Sequence, residues 1–138
     1  MRNFAAAACL AMLTLGCEHA LREEPKYDGL TVSQWCQVAT DQDEDVERRR
    51  QATEMLGNLG PEEADDTVPA LTKAVADPDA HVRLLALRAL GKLAPKARKA
   101  QPAVGRAIND KNKIIAKEAI KTYRLIEMAK PSGLNGGG

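Results

Sequence analysis

Between residues 30 and 128 the chain repeats itself, and this limits the fold more than any other feature. Leu59-Gly60-Pro61 recurs as Leu93-Ala94-Pro95 and Gly57 as Gly91, both 34 residues later. Val68-Pro69-Ala70-Leu71 recurs as Gln101-Pro102-Ala103-Val104 and Asp77 as Asp110, 33 residues later. Looking back, Asp41 stands 36 residues before Asp77, and Val32, Trp35, Val38 and Ala39 are in register with Val68, Leu71, Ala74 and Val75. A period of this length marks a stack of supersecondary units, none of which buries its apolar face alone. Three units of 33 to 36 residues account for the region.

Each unit carries two helical patterns. In the middle unit Val82, Leu85, Ala86, Ala89, Leu90 and Leu93 form one apolar stripe, and in the last unit Ile115, Ala119, Tyr123 and Ile126 keep it. A shorter helix precedes each stripe, opened by a proline suited to the first turn at Pro69 and Pro102 and closed near Asp77 and Asp110. Gly57-Asn58-Leu59-Gly60-Pro61 reads as the end of one long helix and the turn into the next unit. The predicted fold is all-α, a short α-α superhelix of about three helix pairs.

The segments Val68-Pro69-Ala70-Leu71, Asp77-Pro78-Asp79-Ala80-His81-Val82-Arg83 and Ala89-Leu90-Gly91-Lys92-Leu93 resemble the HEAT or HEAT-like (phycobilin-lyase type) repeat family. The first unit departs from the pattern with Arg48 in the place of Val82 and two extra residues in the stretch from Asp41 to Glu47. The third has Arg124 where Gly91 would recur, and Ile114-Ile115-Ala116 where Val-Arg is expected. Edge units of a solenoid lose consensus because each has one neighbour to satisfy.

The first residues read as an address. An uncharged run from Phe4 to Leu15 follows Arg2, too short for a spanning helix and suited to a signal peptide. It ends in Leu13-Thr14-Leu15-Gly16-Cys17, which resembles a bacterial lipobox. That resemblance implies a signal peptide over 1–16, lipidation of Cys17 and a protein fixed to a membrane of the cell envelope. Residues 17–29 are then a polar tether, 30–128 the repeat domain and 129–138 a flexible tail ending in three glycines. With Cys9 removed and Cys17 lipidated, Cys36 stands alone beside Trp35 as a small packed hydrophobe. Trp35 reads as the anchor of the first unit's core.

The residues hold little sign of chemistry. His19 falls in the tether and His81 in an inter-helix turn, neither at a motif spacing from a nucleophile or carboxylate. Asp41, Asp43 and Asp45 alternate like a calcium loop, but Val46 and Ala52 occupy the positions of its glycine and bidentate glutamate. These carboxylates are expected in the loop and at the helix N-terminus, where they face unpaired amides. No catalytic residue, metal or cofactor is expected.

Charge is the exception. The whole chain sums to +1, which argues against nucleic-acid binding through a globally basic surface. Yet residues 17–82 carry six basic and sixteen acidic side chains, and residues 83–138 thirteen basic and three acidic, a split of −10 against +10. Lys113, Lys117, Lys121 and Arg124 fall at i, i+4, i+8 and i+11, while Arg88 aligns with Lys121 and Lys73 with Arg106 across units. In the family this resembles, second helices commonly line a ligand-binding face, which makes Arg88, Lys117 and Lys121 the first candidates for a contact surface. The expected function is a membrane-anchored, non-catalytic interaction scaffold whose basic half recruits an acidic protein partner. Binding to an anionic membrane or polyanion is the second reading and a bilin-lyase-like accessory factor the third. Head-to-tail self-association follows from the same dipole.

Overall fold

The computed structural model describes residues 24–129. A two-stranded antiparallel hairpin, β1 (Lys26–Tyr27) and β2 (Leu30–Thr31), leads into six α-helices. They are α1 (Val32–Thr40), α2 (Val46–Asn58), α3 (Ala64–Ala74), α4 (Ala80–Lys92), α5 (Gln101–Ala107) and α6 (Lys113–Met128). Short 3-10 turns over Pro61–Glu63 and Ala97–Ala100 precede α3 and α5. The helices pair as α1/α2, α3/α4 and α5/α6, and the pairs stack: α4 packs between α2 and α6, and α3 packs on α1. The fold is a short all-α solenoid.

The same local chemistry opens the second helix of each unit. Asp41, Asp77 and Asp110 each accept through Oδ1 from the amide two residues on, at 2.9, 2.8 and 2.8 Å. Asp45, Asp79 and Asn112 then cap α2, α4 and α6 with side-chain oxygens, satisfying amides that the first helical turn leaves free. The two extra residues of the first unit lengthen the loop between its aspartate and its cap.

The core is aliphatic and continuous from Trp35 to Ile126. Trp35 is buried, and its indole N–H donates to the Tyr27 carbonyl at 2.7 Å. That bond and the packing of Tyr27 and Leu30 on the core make the hairpin part of the folded body, so the segment read as tether through residue 29 is folded from Lys26. The hairpin turns at Asp28 and Gly29, both at positive φ, a conformation glycine accepts without strain.

Helix crossings explain two glycines. A Cβ on Gly57 would lie 2.8 Å from the Ala89 Cβ, and one on Gly91 3.3 Å from the Thr122 Oγ1. Both mark the crossing of consecutive second helices, with Ala89 and Thr122 themselves 33 residues apart. The Thr122 hydroxyl completes the second crossing by donating to the Leu87 carbonyl at 2.9 Å.

Three expectations change. Pro69 lies inside α3, which starts at Ala64, whereas Pro102 does sit in the first turn of α5. Acidic Glu62, Glu63, Asp65 and Asp66 favour an early start for α3 at the positive end of its dipole; Lys96, Arg98 and Lys99 oppose one in the third unit. The α4 stripe is also wider than the repeat suggests: Leu85 is half-buried and Leu87 fully buried, because α4 meets a neighbour on each flank. His81 belongs to the first turn of α4, not to the preceding turn, and is exposed.

Candidate functional site

Two arginines are withdrawn from the surface by inter-unit ion pairs. Arg49 of α2 grips Asp77 through Nε at 3.1 Å and Nη2 at 3.4 Å, and Arg83 of α4 grips Asp110 through Nε at 2.8 Å and Nη2 at 3.2 Å. Each remaining Nη1 donates to backbone carbonyls, of Glu44 for Arg49 and of Asp77 and Pro78 for Arg83. Arg50 similarly joins Asp79, whose carboxyl is held far below the usual range, first by that hydrogen bond. Burial alone would raise the Asp110 carboxyl, but Arg83 and the Asn112 amide outweigh it and hold it low. The pairing of Arg49 and Arg83 escaped the sequence reading; their 34-residue offset, beside the 33-residue offset of Asp77 and Asp110, was the available signal.

With those pairs formed, α4 and α6 expose Arg88, Lys92, Lys113, Lys117, Lys121 and Arg124, while Lys96, Arg98, Lys99, Arg106 and Lys111 are exposed on the segments between them. Arg88 and Lys121 come together over Glu118, at 4.0 and 3.5 Å, and Gly91, Lys92 and Leu125 complete the walls of a cleft of about 330 Å³. Lys113, Lys117 and Arg124 lie on the outer stripe of α6, opposite its buried Ile115, Ala119, Thr122 and Ile126, and make no ion pair among the described residues. At about 100° per residue, Lys121 borders both this stripe and the cleft. Lys73 lies apart on α3, beside a second cleft with Lys96 and Lys99.

Sequence periodicity hid one property of α6. The exposed large hydrophobic side chains among the described residues are Ile114 at 65%, Ile120 at 37%, Leu125 at 39% and Met128 at 81% exposure, and all four are on this helix.

The remaining candidates do other work. Cys36 is half-buried, its Sγ 3.5 Å from the Asp66 carbonyl, and burial first and Asp66 second push its thiol up to about 11. Asp43 donates its amide to Asp41, and Asp45 caps α2. Cys9, Cys17 and His19, together with the expected signal peptide, lie outside the described residues.

A stack of antiparallel helix pairs, tied turn to helix by buried arginine–aspartate pairs, defines the α-solenoid class. A family model described as HEAT repeats matches residues 32–124, and the chain belongs to that family. No curated protein and no solved structure matches it. HEAT repeats commonly mediate protein interactions.

Proposed function

We propose that this chain is a non-catalytic docking scaffold, held at a membrane of the cell envelope by lipidated Cys17, whose α4–α6 face recruits an acidic protein. The observation that carries the reading is the gathering on α6 of all four large hydrophobics exposed among the described residues, interleaved with Lys113, Lys117, Lys121 and Arg124. Apolar side chains left in water beside cations favour a partner that covers the former and neutralises the latter. No described helix is long and apolar enough to cross a membrane.

The test is photo-crosslinking in a bacterial host from a reactive residue at Lys117, with Asp43 of the first unit as control position. Intact mass of the native form and Cys17→Ser runs alongside. Recovery of one acidic protein from Lys117 but not Asp43, and a lipid adduct lost in Cys17→Ser, supports the proposal. Equal crosslinking from both positions, or adducts to lipid alone, overturns the docking role; an unlipidated native chain overturns the anchor.

A further inference from the structure

Four side chains of α6 form a seam. Ile114, Lys121, Leu125 and Met128 fall at i, i+7, i+11 and i+14, and at about 100° per residue they lie within about 60° of one another. This is the spacing with which one helix lays its side chains against another. The seam runs about 21 Å along α6, some four turns, and Lys121 and Leu125 also line the cleft against α4, whose own rim carries Arg88 and Lys92. Three apolar side chains with Lys121 among them thus run along α6, bordered by Lys117 and Arg124 on one side and by Arg88 and Lys92 of α4 on the other, with Glu118 as the one carboxylate lining the cleft between.

We infer that this seam receives a single α-helix of another protein, about four turns long, with apolar residues on the contacting side and carboxylates on its flanks. The inference rests on the docking role proposed above and names the partner's form. A second copy cannot supply such a helix from the described residues, because its exposed large hydrophobics are all on α6 itself, which is basic. A further stacked unit does not fit either. Arg124 replaces the glycine that Gly57 and Gly91 use at the crossing, and Ala116 stands where Arg49 and Arg83 reach the next aspartate. The outer side of α6 therefore lacks both features of the two earlier junctions, and among the described residues nothing covers the α4–α6 side.

The probe is a synthetic 18-residue peptide whose leucines share one helical face between rows of glutamate, titrated into the full chain and compared with a peptide of the same composition whose leucines are scattered. Saturable binding at 0.15 M salt, an induced rise in helicity and perturbation of the Ile114 and Met128 methyl signals are expected, with the scattered peptide at least tenfold weaker. Ile114→Ser combined with Met128→Ser should weaken binding at least tenfold at an unchanged urea midpoint. Equal affinity for both peptides, or indifference to the double substitution, overturns the inference. If Lys117 crosslinks an acidic protein that engages it through an extended segment, the docking role stands and the helical partner falls. If the peptide binds but no protein is crosslinked, the seam stands and the docking role falls.

Discussion

Arg83 stands to Asp110 as Arg49 stands to Asp77: in each pair a second helix sends a guanidinium across a unit boundary to clamp the aspartate that shapes the next unit's turn. The clamp joins three levels at once, since the same aspartate accepts the amide two residues on and so presents the cap of the following helix.

Removing the Arg49 side chain leaves Asp77 buried without its charge partner; their side chains are 9% and 1% exposed. Breaking a buried pair from one side costs about 3 kcal/mol. Arg49→Ala should lower the urea midpoint accordingly at constant m-value, whereas Arg48→Ala, on the exposed side of α2, should leave it nearly unchanged.

Acid should loosen these boundaries. Asp79 and Asp110 titrate below the ordinary carboxylate value in the folded protein, so their contribution is fully present above the unfolded pKa of about 4 and is lost as pH falls below it. Thermal midpoints measured from pH 7 to pH 2 should be level at first and fall below about pH 4. Asp79→Asn, which keeps a capping side chain, should be less stable at pH 7 and show a shallower fall.

At Gly57 local and tertiary preferences oppose each other. Alanine is the better helix former by about 1 kcal/mol. Its Cβ, however, would meet that of Ala89 at 2.8 Å, and overpacking of this kind costs roughly 1–3 kcal/mol. Gly57→Ala should be destabilising in a denaturant titration, and Gly91→Ala less so, because the neighbour there is the Thr122 hydroxyl at 3.3 Å.

Cys36 should be a slow thiol. With its pKa raised from 9.0 to about 11, the thiolate fraction at pH 8 falls about a hundredfold, and alkylation by iodoacetamide should slow to match. Full reactivity should appear in urea. Rapid modification of the native chain would mean that the thiol is not packed as described.

The architecture was legible because a stacked fold writes its geometry into a period. Gly57 and Gly91, Trp35 and Leu71, and Asp77 and Asp110 recur in the sequence because they recur in space. The start of α3 was not, because proline at position 69 is tolerated within a helix whose acidic first turn and tertiary packing outweigh the missing amide. Nor was the burial of Leu87, which depends on a neighbour supplied by another unit. The positive stripe of α6 was visible as spacing, but its apolar companions were not, since Ile114 and Leu125 look in sequence like any other core residues. Arg88 and Lys121 are joined through Glu118, and only the fold brings that carboxylate between them.

Because α4 alone among the described second helices is covered on both flanks, the three units are unequal links. Among the described residues each outer unit is steadied by one junction and should open more readily than the middle, the last one presenting cations and the exposed Ile114, Ile120, Leu125 and Met128 on its open side. A ligand resting across α6 and the rim of α4 would lend that unit a second junction, so occupancy would register as slower amide exchange at Thr122 and the Leu87 turn, well inside the molecule.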